Sequence, residues 1–286
     1  MLRCGSGTAG TFYLDAFAGS NVPVRGSAII GTMLLEGKKG LVLSVTNEKS
    51  IGWSVAKAAA DAGAEVGIGA QNERMLKNVG ELADSHERVT AFVVDFSEED
   101  QIAKLVEDVK AKYGRLDFFV HSAAYAPRQA LQGRFIETSR EAFQIALDVS
   151  AYSLVRMCQA LEPVMNDGGS VITMTYLGSV RACRNYNVMG VAKAALESSV
   201  RYLSVDLGSR GIRVNAVSPG PMNTVAARGV KGLLDMIGHV AEMSPLGQAA
   251  TQEDVGKTSL WLLSDLSTGV TGQTIYVDAG YNVVAL

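Results

Sequence analysis

The chain contains no run of eighteen or more apolar residues, so no segment has the length of a membrane-spanning helix. It also lacks a basic tail. A formal net charge of -3 argues against a nucleic-acid or anionic-membrane surface as the main partner. Cysteine is scarce: Cys4, Cys158 and Cys183 are an odd number without metal-ligand spacing, and the three histidines form no cluster with them. A disulfide framework and a structural metal are therefore not expected, and the pattern suits a reducing compartment. Internal repeats, low-complexity tracts and interdomain linkers are absent too, which leaves a single domain.

What is present is ordinary globular composition. With 48% hydrophobic and 19% charged residues, 286 residues can bury one large core. Residues 1–32 stand apart, being rich in Gly, Ser, Ala and Thr, without periodicity, and followed by a second methionine, Met33. They read as a leader outside the fold: an upstream start, an expression leader or an organellar presequence. From Lys38 onward short apolar runs alternate with helical patterns. The runs are Gly40 to Val45, Glu65 to Ala70, Thr90 to Asp95, Leu116 to Ala124, Ser170 to Thr175, Ile212 to Ser218 and Gln273 to Ala279. Helices are expected from Ile51 to Ala62, from Asn72, from Glu98 to Tyr113, over about Ser139 to Met165, from Val188, and from Glu253 to Ser264. Seven strands separated by helices imply an α/β, Rossmann-like, doubly wound parallel sheet covered on both faces.

In such a sheet ligands bind at the carboxyl ends of the strands. The first strand-to-helix turn, SVTNEKSIG, lacks the G-x-G-x-x-G phosphate fingerprint: Ser44 stands where the first glycine is expected and Gly52 is the only glycine. Ser50 and Ile51 nevertheless enter the helix as an N-cap would, and exposed amides there can hold phosphate. From this segment alone, a phosphate cradle and a plain connecting loop stay equally open. Gln71 follows the second strand where an acid usually meets the adenosine ribose; it brings no cation for a 2′-phosphate, although Arg74 lies nearby, which favours NADH over NADPH. Asp95 can accept from an adenine amino group or cap a helix. Ser122, Ala123 and Ala124 are small enough to let a ring approach the backbone, or to let helices pack closely.

The stretch from Thr173 to Ser199 carries Tyr176, Tyr186 and Lys193. From Val188 its apolar surface is nearly unbroken, and Lys193 is the only charge inside it; a buried ammonium must find acceptors. Tyr186 precedes Lys193 by seven positions. That is two turns and a rise of about 10 Å if both are helical, and less if the turn RNYN is irregular. A phenol beside an ammonium can stabilise a carbonyl oxygen that gains negative charge.

Taken in order, SIGWSVA, AQNE, VHSAAYAP, TYLGSVRACRNYNVMGVAKAALE, VRYLSVDLGSRGIRVNAVSPGPMNTVAA and GQTIYVDAGY resemble the NADH-dependent enoyl-acyl-carrier-protein reductases of the short-chain dehydrogenase/reductase superfamily, bacterial fatty-acid-synthesis type. The likeness covers Met33 to Leu286. It implies NADH-dependent reduction of trans-2-enoyl thioesters carried on acyl carrier protein, with Tyr186 donating to the thioester oxygen, Lys193 holding the nicotinamide ribose and Tyr176 orienting substrate. It further implies cofactor contacts from Ser44, Ser50, Ile51, Gln71, Asp95, Phe96, Ser122, Ala123, Met222, Asn223, Thr224, Val225 and Ala226. A substrate contact from Ala126, a substrate-binding loop over about 220–247, a cytoplasmic homotetramer and no metal are implied as well. Two features depart from the family: Ser44 replaces its first glycine, and the loop carries only Arg228 and Lys231 with Asp235 nearby, a thin basic patch for an acidic carrier. The rival readings are a short-chain reductase for ketones or small enones and a dinucleotide-binding regulator without turnover.

Overall fold

The computed structural model describes residues 33–96, 98–224, 227 and 232–285. Residues 1–32, together with Val225, Ala226, Arg228 and Lys231, lie outside the described residues. The strands are β1 (Lys39–Leu43), β2 (Glu65–Ala70), β3 (Val89–Val93), β4 (Leu116–His121), β5 (Met165–Met174), β6 (Arg213–Pro219) and β7 (Thr274–Val277). The helices are α1 (Ile51–Asp61), α2 (Glu73–Asp84), α3 (Glu99–Tyr113), α4 (Arg140–Leu147), α5 (Ser153–Leu161), α6 (Val188–Gly208), α7 (Leu233–Met243) and α8 (Gln252–Leu263). All strands pair in parallel, in the order β3-β2-β1-β4-β5-β6-β7. The chain builds outward from β1 to β3 and then restarts on the other side of β1 with β4, so the ends of β1 and β4 mark the switch point.

Alternating side chains send each strand's apolar residues to both faces. Val42, Ile68, Val120, Ile172 and Val217 pack with Val55, Ala59, Val255 and Leu262 of α1 and α8. Leu41, Leu43, Phe119, Val171 and Ala216 pack on the opposite side with Leu105, Leu154, Leu196 and Val200 of α3, α5 and α6. Burying each Leu or Phe contributes about 1.5–3 kcal/mol, and this two-sided core fixes the strand ends on which the site depends. Among the described residues no helix is long and apolar enough to cross a membrane.

Several boundaries differ from the sequence reading, each for a local reason. β1 stops at Leu43 because Ser44 turns into the left-handed region at φ 66. β3 stops at Val93, leaving Asp95 in the connection, and the residue at the start of α3 is Glu98, so Asp95 is not a helix cap. The helical region expected over Ser139 to Met165 contains one π-turn at Asp148–Tyr152 and α5 ends at Leu161. Met165 already pairs with Leu116, and the next paired residue is Ser170 opposite Phe118, so Asn166–Gly169 form an irregularity within β5. Asn72 caps α2 by accepting from the Met75 amide at 3.0 Å.

Candidate active site

The segment between β5 and α6 brings together the candidate side chains Tyr176 and Tyr186. Asn185 and Asn187 flank Tyr186 with φ of 62 and 40, a conformation Asn tolerates better than other side-chain-bearing residues. Hence α6 starts only at Val188, and Tyr186 lies in an irregular turn before the helix, the second of the two geometries the spacing allowed. Asn187 Nδ2 donates to the carbonyls of Ala130 and Gly133 at 3.3 and 3.4 Å, tying this turn to the segment after β4. There the Tyr186 ring packs against a cluster containing Ala126, Ala130 and Val188. On its other side lies Gly178, where a Cβ would stand 2.5 Å from Tyr186 Cδ1. Gly190 lets α6 approach equally closely, since its Cβ would meet the Gly178 carbonyl oxygen at 2.7 Å. Tyr176 and Tyr186 meet edge to face with centroids 4.8 Å apart.

Lys193, in the second turn of α6, is 4% exposed and donates from Nζ to the Met174 carbonyl at the end of β5, 2.6 Å away. Burial pulls its pKa down to about 8, partly opposed by the negative charge of Glu197. Burial raises both phenols above their ordinary range, so Tyr176 and Tyr186 stay neutral donors at physiological pH. The Tyr176 hydroxyl donates to Met236 Sδ at 3.3 Å, which docks α7 over the site. Beneath it His121 is held between Thr173 Oγ1 (2.9 Å) and Ser153 Oγ (2.8 Å). Its burial, with nearby Lys193, lowers its pKa to about 3, so the imidazole is neutral.

Along the same sheet edge toward β3, the left-handed backbone at Ser44 explains why a glycine is expected there. Ser50 occupies the N-cap position of α1, but its hydroxyl makes no cap bond. Instead it accepts from the Thr46 and Asn47 amides at 3.3 and 3.4 Å and donates to the Asn47 carbonyl, bracing the loop. With Ser50 turned away and no acid in the first turn, the positive end of α1 is left open to an anion beside Ile51. Gly52 lets α1 sit close to the sheet, for a Cβ there would lie 3.3 Å from Val45 Cγ2.

Gln71 and Asp95 come together at the ends of β2 and β3, with Nε2 3.4 Å from Oδ2, and the Asp95 amide donates to Gln101 Oε1 at 2.9 Å. Phe96 faces His121 at 6.2 Å between ring centroids. Ser122 is half-buried, while Ala123 and Ala126 are buried just past β4. Met222 and Thr224 are buried after β6 and Asn223 is exposed; Thr224 Oγ1 accepts from the Ala227 amide at 3.1 Å. The structure thus places the expected residues at consecutive strand ends, with Val225 and Ala226 outside the described residues. No group of three or more His, Cys, Asp or Glu suited to a metal occurs among the described residues.

The sequence reading passed over Glu197. It lies one turn beyond Lys193, is 8% exposed, and its Oε1 accepts from Thr175 Oγ1 at 2.7 Å and Ser179 Oγ at 2.6 Å. The available signal was a second charge at i+4 on a helix face that is otherwise apolar.

Comparison with known proteins identifies the family. The family described as enoyl-(acyl carrier protein) reductase matches residues 45–282. A Nostoc sp. protein named enoyl-acyl-carrier-protein reductase (NADH) is 46% identical over 255 residues, spanning 88% of this chain and 99% of its own length. A Bacillus cereus protein of the same name is 43% identical over 253 residues, again 88% of this chain and 99% of its own. Among solved structures, the Anaplasma phagocytophilum reductase in complex with NAD superposes with a TM-score of 0.86 at 41% identity, covering 89% of this chain and 97% of that one. The Bacillus cereus reductase with NADP+ and indole naphthyridinone gives 0.87 at 42% identity, covering 89% and 100%. With a seven-stranded parallel sheet, a family match over residues 45–282 and relatives 43–46% identical over 88% of its length, the chain belongs to the enoyl-(acyl carrier protein) reductase family.

Proposed function

We propose that the protein reduces trans-2-enoyl thioesters on acyl carrier protein to the saturated thioesters, with NADH as reductant, in fatty acid elongation. The observation that carries this reading is the buried Lys193 ammonium beside the Tyr176–Tyr186 pair, at the sheet edge that also holds the open end of α1. The residues fit a dinucleotide: the amino end of α1 carries no side-chain cap and suits a pyrophosphate, and Lys193 offers an ammonium whose hydrogen-bond acceptor among the described residues is the Met174 carbonyl. NADH, when bound, supplies the hydride taken up by the substrate β-carbon. Tyr186 donates a hydrogen bond to the thioester oxygen as that oxygen gains charge, an interaction strengthened because the site is buried. Lys193 holds the nicotinamide ribose hydroxyls, and Tyr176 orients the thioester.

Ser44, Ser50, Ile51, Gln71, Asp95, Phe96, Ser122, Ala123 and residues 222–226 are assigned to the cofactor, and Ala126 to substrate. Although the Bacillus cereus relative was solved with NADP+, Gln71 in this chain pairs with Asp95 and brings no cation to a 2′-phosphate. The regulator reading loses its motive, since Ser44 adopts the left-handed turn despite its side chain.

The apolar segment over 220–247 is assigned to the acyl chain, supported by the docking of α7 on Tyr176 through Met236. The carrier is assigned to the rim where Arg128, Arg134, Arg181 and Arg184 are exposed on two segments joined by Asn187. A homotetramer is supported by exposed Tyr202 (74%) and Val205 (76%) on α6, beside a groove lined by Val155, Ala195 and Leu203. The reductase domain is assigned to residues 33–286. The site of action is the cytoplasm, or an organelle if residues 1–32 are a presequence.

The test is NADH oxidation with crotonyl thioester. Consumption supports the assignment, binding without consumption supports a regulator, and turnover only with ketones supports the other short-chain reductase.

A further inference from the structure

We propose that Glu197 is a positioning residue for this site: its carboxylate fixes the Thr175–Ser179 segment, and Tyr176 within it, against α6, and places a negative charge beside Lys193. The inference rests on the functional reading above. Both hydroxyls converge on one carboxylate oxygen, from positions that bracket Tyr176 in sequence. The opposite end of Tyr176 is fixed by its bond to Met236, so the ring is held between α6 and α7. A carboxylate this buried is costly unless it is hydrogen-bonded and near a cation, and Glu197 has both.

Glu197 also acts on the electrostatics of Lys193, against the larger effect of burial. The groups around this pair are His121 from β4, neutral through burial, and Tyr176, Tyr186 and Cys183 from the connection, all raised and neutral. Tyr276 from β7, with Asp278 and Arg181 nearby, also senses the Glu197 charge. Glu197 is the group that opposes the desolvation of Lys193. Removing its charge while keeping its shape therefore lowers the pH at which Lys193 gives up its proton.

The experiment uses the full-length protein and the variants Glu197→Gln and Glu197→Ala. Lys193 is titrated by the 13Cε shift of labelled lysine, assigned through the resonance lost in Lys193→Ala. Hydrogen exchange of residues 175–181 reports the segment, and kcat and KM with crotonyl thioester report the site. In Glu197→Gln the Lys193 midpoint falls by about one pH unit, while the amide oxygen still accepts from Thr175 and Ser179. In Glu197→Ala the midpoint falls as well, exchange of 175–181 accelerates, and kcat/KM drops by about tenfold or more, of which Glu197→Gln restores the larger part. An unchanged Lys193 midpoint in Glu197→Gln overturns the electrostatic role. Exchange and kcat/KM like those of the parent protein in a folded Glu197→Ala overturn the positioning role. If the unsubstituted protein itself fails to reduce crotonyl thioester, the parent reading falls, and the titration and exchange results still decide the role of Glu197.

Discussion

Adding one methyl group at Gly178 tests whether the Tyr186 ring is placed for chemistry. A Cβ built there stands 2.5 and 2.8 Å from Cδ1 and Cε1 of Tyr186 and 3.2 Å from Cδ1 of Tyr176, against 3.4–4 Å for ordinary contact. The Tyr186 ring must therefore move by about 1 Å, and it cannot move freely, because Tyr176 packs on it edge to face at 4.8 Å. Overpacking of this kind costs about 1–3 kcal/mol of stability, and a 1 Å displacement of a group that contacts the reacting atoms costs on the order of 10²-fold in rate. The Lys193 bond to the Met174 carbonyl does not pass through Gly178. In Gly178→Ala, kcat/KM for crotonyl thioester is thus expected to fall about 10²-fold while NADH affinity, read by fluorescence titration, changes by less than about threefold. A folded Gly178→Ala protein with turnover within about twofold of the parent would refute the placement of Tyr186. An equal loss of NADH affinity would show instead that the whole segment had shifted.

Other substitutions separate the remaining roles. Tyr186→Phe removes the proposed oxyanion donor and should lower kcat about 10²–10³-fold with NADH affinity largely intact, which stopped-flow hydride transfer would measure. Lys193→Ala should weaken NADH binding, and unchanged affinity by fluorescence titration would remove the role given to the ammonium. Lys193 is charged below about 8 and loses its proton above it, so NADH affinity should be full at pH 6.5–7 and fall by up to about tenfold per pH unit above 8. A flat profile from pH 7 to 9.5 would contradict this. Ser44→Gly relieves a left-handed backbone that costs about 1 kcal/mol with a side chain present, and thermal unfolding should show a stabilisation of that order; a destabilised protein would mean that the hydroxyl holds the turn.

Particular residues show how far local pattern reaches. The start of α6 at Val188 and a helix beginning about Asn72 follow from side chains within a few positions of one another, and the structure agrees, with Asn72 serving as the cap of α2. Lys193 is buried on its helix face as expected, but Glu197 puts a second charge on that face. Ser50 shows where such reasoning stops. Its position as N-cap follows from the sequence, but its hydroxyl bonds into the preceding loop, a choice set by the path of residues 45–49. The breaks at Asp148–Tyr152 and Asn166–Gly169 were invisible for a similar reason, since a π-turn and a shifted register arise from pairing and packing with distant elements.

The sequence by itself determined the order of strands and helices along the chain and the strand ends at which a ligand site is expected, because hydrophobic periodicity and turn chemistry act over a few residues, while Tyr176, Tyr186 and Lys193 became its candidates through the family resemblance. Only the tertiary structure decided that Tyr186 rests on Gly178, that α6 closes on the same segment through Gly190, and that Glu197 accepts from Thr175 and Ser179. Those contacts join residues eight to twenty-two positions apart in sequence and depend on backbone angles in one irregular turn, and such distances are fixed only when the whole core has packed.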